Sequence, residues 1–572
     1  MQPYDIAIIG GGPGGSTTGA LIKKYHPNLR VAIFEKEAFP REHVGESQLP
    51  PISSILHEMG CWDDVEAAGF PIKIGATYRW GQEDTLWDFE FLPIDQFKDE
   101  PRPAHYTGQR KQTAFQVERA VYDDILLRHA EKLGCEVFQQ TGVKSVAKNG
   151  DQVTGLTLSD GRQIEAAYYV DASGNAAILR KAMGVDVTVP TALKNVAFWS
   201  YWENAEWAVE IGVGGTRVQV MSLGTGWLWF IPLSPTRTSI GFVCPAEHYK
   251  ASGKSPEEIY LAAIASDKTI CALTKNAIRE TDVQGTKDWS FLADRSAGEN
   301  WLMVGECAGF ADPILAAGMT LTQTGAREAA YILPQVLAQP EERVWLFQHY
   351  SSTQRTRIRQ HIRFADFWYT ANGQFSDLQD YTAQIASDAG LKLSAKEAFR
   401  WLGTGGFTND SPGQVGLGGL DLVSMKQITE RFTDETLGWE LNRYNRFKLN
   451  LKEAQETKAP VFKDGKITYL PAYVRGEKQL IRAGLFELIL QVLQKAVAIS
   501  DIHALLTQYF TANPGQGATP ALGIYHALQT LETLVLEGWV VGSNDRRKSR
   551  LKLSTPREGS IIHTNRDERP AA

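Results

Sequence analysis

The chain has 572 residues and a formal net charge of −7. At roughly 150 residues per domain this is more than one ordinary domain needs, and 43% hydrophobic with 22% charged residues excludes a mainly disordered, collagen-like or small disulfide-scaffold chain. The acidic balance argues against a nucleic-acid partner, because phosphate binding wants a basic surface. A strand expected at about residue 4 leaves no room for a signal peptide, and no apolar run reaches the roughly 18 residues of a membrane span. Cysteines 61, 135, 244, 271 and 307 form no CxxC pair. They predict reduced, buried thiols in a cytoplasmic protein, and no Cys or His spacing suits a metal.

In chain order, residues 6–9 are a continuous apolar run, as a strand buried on both faces should be. Gly10-Gly11-Gly12-Pro13-Gly14-Gly15 follows, then a small-residue helix near 15–25 and a strand at 30–34 ending at Glu35. Gly10, Gly12 and Gly15 spell GxGxxG. The first glycine makes the turn, the second admits a pyrophosphate to backbone N–H groups, and the third lets helix and strand pack. Glu35 is placed to take both ribose hydroxyls, so this frame predicts a dinucleotide site. The glycine clusters at 212–215 and 416–419 lie outside strand–turn–helix frames. One dinucleotide is therefore expected to bind tightly, with any nicotinamide acting transiently or through a separate protein.

Further on, 153–158 and 163–166 flank a Ser159-Asp160-Gly161 turn and predict a hairpin. A buried strand at 168–171 ends in Asp171-Ala172-Ser173-Gly174. Residues 190–245 are β-rich and aromatic, 301–304 form a strand before a Gly-rich turn, and 320–375 read as mostly helical. Beyond a boundary near 375–385, helices are expected at 396–402 and 425–458 around a Gly-rich loop, and a short hairpin at 461–469. Residues 484–541 read helix, helix, helix, strand, the order of a winged helix. No Lys or Arg occurs between 496 and 545, so this region offers nothing to DNA phosphates.

Several stretches together carry a resemblance. The first fingerprint, Arg119 four residues before Asp123, Asp171-Ala172-Ser173-Gly174 and the 305–318 segment stand in the order of FAD flavoproteins. Gly226-Trp227-Leu228-Trp229-Phe230-Ile231-Pro232 adds a WxWxIP motif. In a strand, Trp227, Trp229 and Ile231 share one face and make a rigid wall. With both features present, the sequence resembles the flavin-dependent halogenases. The fold this implies is α/β: a Rossmann-like FAD-binding domain with an inserted β-rich substrate domain over 1–378. A mainly helical, winged-helix-like C-terminal region over 379–553 and a disordered tail at 554–572 complete the expected organisation.

The resemblance implies FAD supplied reduced by a separate NAD(P)H-dependent flavin reductase, with dioxygen and chloride or bromide. A flavin hydroperoxide and hypohalous acid would carry the halogen. It assigns FAD contacts to Gly10, Gly12, Gly15, Glu35, Lys36, Arg41, Ser47, Arg119, Glu306, Asp312 and Gly318, and the halide to backbone N–H groups of Ala317 and Gly318. Lys73, in the apolar Pro71-Ile72-Lys73-Ile74 stretch, matches the essential lysine. Trp227, Trp229, Ile231 and Pro232 would keep substrate from the flavin, and the loop from Arg41 through His43 to Ser47 would relay between flavin and substrate pocket. The acid usually found as Asp in the family is Glu306 here. Tryptophan-halogenating members carry Glu then Ser after Asp-Pro-Leu; Leu315 and Ala316 stand there instead. This predicts against free tryptophan and for a more electron-rich aromatic small molecule, phenol or pyrrole, or such a ring tethered to a carrier protein. An FAD-dependent aromatic monooxygenase or C=C reductase is the alternative on this fold.

Overall fold

A computed structural model describes residues 3–81, 84–374, 378, 422–433, 437–476, 478–513, 519–556, 559 and 561–565. The chain forms two compact units. One comprises Met1–Leu391, Asp464–Lys466 and Ser560–Ala572; the other comprises Lys392–Lys463 and Ile467–Gly559. The expected boundary near 375–385, the helix at 396–402 and the glycines at 416–419 lie wholly or largely outside the described residues.

The first unit opens on a five-stranded parallel sheet. Its order is Trp301–Met303, Ala166–Asp171, Tyr4–Ile9, Val31–Phe34, Glu136–Phe138. Its first strand is buried on both faces, which is why it reads as an unbroken apolar run. The helix Pro13–Tyr25 packs against the helices Gly318–Ala338 and Arg119–Lys132. The other face rests on Val153, Leu156, Leu158 and Ile164 of the predicted hairpin, whose Gly161 takes φ +87°.

The second sheet runs Ile278–Arg279, Lys194–Glu203, Arg237–Pro245, Gly226–Pro232, Gly215–Leu223, Ile72–Arg79, Leu86–Glu90, Ile562–Thr564. Gln284–Trp289 pairs with Lys194–Glu203, and Ala114–Phe115 with Ile72–Arg79. The Gly226–Pro232 strand sits between two partners and is buried along its whole length. Trp229 pairs with Gly241, and its indole occupies the space a side chain would take there.

Three expectations need correction. The tail at 554–572 contains the strand Ile562–Thr564, antiparallel to Leu86–Glu90. Sequence polarity predicted a tail, but His563 Nε2 lies 3.4 Å from a Glu90 carboxylate oxygen. Asp88 and Glu90 are themselves paired with the buried Arg217, so the strand meets a charged cluster rather than an apolar edge. The helix expected over 425–458 ends early. Residues Leu422–Thr433 are helical, but Arg446–Leu449 is a strand paired with Val540–Ser543, burying Phe447 on one side. Gln455–Lys463 and Lys466–Arg475 are longer than the short hairpin expected, with Asp464 and Gly465 both at positive φ in the turn.

The second unit otherwise has the expected order of three helices, Gly484–Lys495, Ile499–Ala512 and Pro520–Leu536, followed by a strand. Its centre holds a buried ion pair. Glu532 accepts from Lys426 Nζ at 3.1 Å and from the backbone N–H groups of Glu440 and Leu441 at 2.9 and 3.0 Å. These donors satisfy a carboxylate that would otherwise be costly to bury.

A β-carbon at Gly241 would stand 2.1 Å from the Trp229 ring. Gly241→Ala is therefore expected to destabilise the first unit by about 1–3 kcal/mol through overpacking, with a change in tryptophan fluorescence. Urea unfolding checks both.

Candidate active site

The Gly-rich turn and the end of the second strand border a cleft of ≈ 580 Å³. Gly10, Gly12, Glu35, Lys36, Arg41, His43, Arg119, Ser173, Gly174, Glu306 and Gly318 line it. Gly15 does not; it lies beneath, where a β-carbon would meet the Gly10 carbonyl oxygen at 1.9 Å. Gly10 has φ +102°, and a β-carbon there would stand 2.4 Å from the Ala172 carbonyl oxygen. Both sites therefore require glycine. The Glu35 carboxylate is fixed by N–H donors of Gly11 and Glu37 at 2.7 and 2.8 Å.

Asp171 has a structural task. It is fully buried, and accepts from Ser173 N–H and Oγ and from Leu179 N–H, at 3.1, 2.6 and 2.7 Å. Those bonds bend the chain so that Ser173 and Gly174 reach the cleft.

Arg119 joins this cleft to the loop before it. Nε and Nη2 form a two-pronged pair with Asp123 at 2.8 Å each, while Nη1 donates to the Val44 and Gly45 carbonyls at 3.0 and 3.1 Å. Arg41 approaches Asp123 at 3.4 Å. The Arg119 charge, then burial, hold His43 down at about 4, so its imidazole is neutral near pH 7. Further along the loop, Glu46 accepts from Tyr201 OH at 3.0 Å, and burial raises its pKa.

The helix Gly318–Ala338 begins at the turn after Asp312-Pro313. No side chain caps it, and its first turn carries no acid. An uncapped N-terminus of this kind favours an anion. Ala317 and Gly318 sit at this end, with Ala316 at φ +50° turning the chain into it. Glu306 faces the same place, and burial raises its pKa. Leu315 and Ala316 are half-buried and bring neither carboxylate nor hydroxyl to the turn.

Asp312 is tied to the tryptophan wall. Its Oδ1 accepts from Ile314 N–H at 2.9 Å and from Tyr369 OH at 3.3 Å. Tyr369 OH in turn accepts from Trp227 Nε1 at 2.7 Å and from Asn195 Nδ2 at 3.1 Å. Trp227 and Trp229 lie 6.1 Å apart at 54°. Trp229 Nε1 donates to Ser239 Oγ at 3.1 Å. Trp80 meets Trp227 edge-on at 6.3 Å and, with Trp87 and Trp368, forms one aromatic cluster. Ile231 is buried, and strand alternation puts it with the two indoles and Pro232 on the opposite face.

Lys73 shares the face of Trp229. Lys73 pairs with Thr216, Val220 pairs with Trp229, and residues 216 and 220 lie on one side of their common strand. Its side chain is 2% exposed, and its amine donates to the Gln48 carbonyl at 2.9 Å. No carboxylate pairs with it among the described residues, so burial alone pulls it from 10.5 to about 7. Ser47 is absent from the cleft lining; it bridges to Gln116 on the sheet beside Lys73. Sequence reasoning did not single out Tyr369, Asn195, Tyr201 or Gln116. They come from distant strands and one helix end, and no local motif marks them.

All five cysteines are free; four are buried, but Cys271 is exposed. Among the described residues no cluster could hold a metal ion, and no helix is long and apolar enough to cross a membrane.

The Gly10–Gly15 cradle, the acid at the second strand and the uncapped helix end fit a dinucleotide flavin. Comparison with known proteins agrees. The tryptophan halogenase family profile matches residues 5–113 and 94–377. A 1H-pyrrole-2-carbonyl-(peptidyl-carrier protein) chlorinase from Pseudomonas fluorescens is 29% identical over 387 residues, 65% of this chain and 85% of that protein. Among solved structures, the myxobacterial chondrochloren halogenase CndH, an FAD-dependent halogenase, is 29% identical with a TM-score of 0.58, over 69% of this chain and 91% of its own. CmlS, a flavin-dependent halogenase, is 22% identical with a TM-score of 0.72 over 98% and 100%, a likeness of fold.

The Lys73 amine gives a stability test. Between about 7 and 10.5 the unfolded chain holds a proton on Lys73 that the folded chain lacks, so this group's destabilisation fades as pH rises. Lys73→Met is expected to be more stable than the parent near pH 6–7, with the gap narrowing toward pH 10. A gap independent of pH, in urea melts across that range, would contradict the assignment.

Proposed function

The chain belongs to the tryptophan halogenase family of flavin-dependent halogenases, and from that premise we propose which residues carry the chemistry and what they act on. It is an FAD-dependent enzyme that halogenates aromatic compounds; the monooxygenase or C=C reductase alternative is not favoured by its relatives. Residues Gly10, Gly12, Glu35, Lys36, Arg41, Arg119, Glu306 and Gly318 would hold the flavin over Gly15, with Asp312 at its far end. Reduced FAD, when bound, supplies the two electrons by which one dioxygen and one halide become hypohalous acid and water. A separate NAD(P)H-dependent flavin reductase provides those electrons, since the sequence carries one dinucleotide fingerprint.

The residues of the chain then divide the work. Backbone N–H groups of Ala317 and Gly318 hold chloride or bromide at the positive end of a 21-residue helix. Trp227, Trp229 and Ile231 exclude the aromatic substrate from the flavin side, and Pro232 ends the strand behind them. Lys73 is the residue that meets the oxidant. Its amine donates to the hypohalous oxygen, or forms an N–halogen bond as the oxygen–halogen bond breaks and water leaves with the N–H proton. Either way an amine is needed, and transfer to the ring returns it unchanged. The observation that carries this reading is a buried, carboxylate-free lysine on the Trp229 face of the sheet.

Leu315 and Ala316 leave the turn without an acid to assist a weakly activated ring. The substrate proposed is therefore an electron-rich phenol or pyrrole. Tethering to a carrier protein is supported by the chlorinase relative, which by its name acts on such a conjugate. The widely spaced thiols suit a reducing cytoplasm.

Enzyme, FAD, a flavin reductase, dioxygen and chloride or bromide are to be incubated with free and with carrier-loaded pyrrole or phenol. The expected product gains one halogen, and Lys73→Met lowers its rate by about 10²–10⁴-fold, the range for a positioned proton-transferring group. Hydroxylated product independent of halide would restore the alternative, and an unaffected Lys73→Met would remove the role given to the lysine.

A further inference from the structure

Beside Lys73 lies a set of polar atoms that the proposed chemistry does not use. Both side-chain amide atoms of Gln116 and the hydroxyl of Ser47 are buried and have no hydrogen-bond partner among the described residues. Gln116 is 0% exposed and Ser47 8%. Buried polar groups are almost always paired, and each exception calls for an explanation.

Strand pairing shows that these atoms converge. Ser47 and Gln116 face each other across an antiparallel bridge. The bonds around it run from Val117 N–H to the Glu46 carbonyl and from Gln48 N–H to the Phe115 carbonyl, at 2.8 and 3.1 Å. They flank the pair, which makes it the closely spaced type whose side chains lie nearer each other. One strand further on, Ala114 pairs with Lys73. Gln116 is two residues from Ala114, so it lies on the same face as Lys73, diagonally across. Ala114 is small, and the Lys73 side chain crosses it to donate to the Gln48 carbonyl, one residue from Ser47. Thus the amine, the hydroxyl and the amide lie on the face that also carries Trp229.

We propose that Ser47, Gln116 and Lys73 form a seat for hypohalous acid. The amide offers one donor and one acceptor, and the hydroxyl offers both, which complements a small neutral molecule with an O–H donor and oxygen lone pairs. A halide ion would meet the amide carbonyl unfavourably. The seat rests on the halogenase reading and adds to it two positioning residues that hold the oxidant at the lysine until the ring arrives.

The holoenzyme, with reductase, halide and an accepted aromatic substrate, is assayed alongside a soluble 1,3-diketone that traps escaped hypohalous acid. The readout is the ratio of halogenated substrate to halogenated trap. Gln116→Met and Ser47→Ala are each expected to lower that ratio by about 2- to 10-fold, the value of one hydrogen bond. Gln116→Met is expected to melt at or above the parent temperature, because it removes an unpaired buried amide. A melting temperature well below the parent means the amide is paired within the fold and overturns the seat. A ratio indifferent to both substitutions, in a parent that makes product, overturns the seat alone. A parent giving neither halide-dependent product nor trapped oxidant overturns the seat together with the halogenase reading.

Discussion

One ladder of strands governs the candidate active site. Ile72–Arg79 and Gly226–Pro232 are not paired with each other; each pairs with Gly215–Leu223 between them. Because side chains alternate with a period of two, a slip of one residue in either pairing would send Lys73 and the two indoles to opposite faces. The register is secured by burial on both faces and by a cross-strand glycine that gives the Trp229 ring its place. An irregularity between Thr216 and Arg217 shifts the pairing beyond Lys73. It lets Lys73 face the indoles while Arg217 meets Asp88 and Glu90.

The loop from Arg41 to Gln48 connects this face to the cleft at the Gly-rich turn, and it is tied at nearly every step. Arg119 holds the Val44 and Gly45 carbonyls, Tyr201 holds Glu46, Ser47 pairs with Gln116, and the Gln48 carbonyl receives Lys73. A loop crossing from one site to the other cannot rely on apolar packing, since both ends must meet polar chemistry. Its backbone carbonyls are instead satisfied by charged donors from a helix and a strand. Tyr369 links Trp227 to Asp312 and so couples the wall to the turn before the helix Gly318–Ala338. Two short polar chains thus run through Arg119 and through Tyr369.

Buried charge is handled in more than one way. Asp88, Glu90, Arg217 and His563 form a mutually compensated cluster, and Lys426 with Glu532 does the same in the second unit. Lys73 receives no such compensation and responds by giving up its proton near neutrality.

Local sequence determined what depends on neighbours within a few residues. The GxGxxG turn requires Gly10 and Gly15 because a side chain there would strike the backbone. The period-two pattern put Trp227, Trp229 and Ile231 on one face, and Asp160-Gly161 set a hairpin. The residues missing from the sequence reading are those whose role depends on partners far along the chain. Gln116 matters only because Ser47 faces it, and Tyr369 only because a helix end reaches Trp227 across 142 positions. The strand Ile562–Thr564 was hidden for the same reason, since its partners Asp88 and Glu90 are remote. Sequence thus determined the chemistry each segment carries; tertiary structure alone decided which segments meet, because strand pairing and burial bring together groups that no local pattern connects.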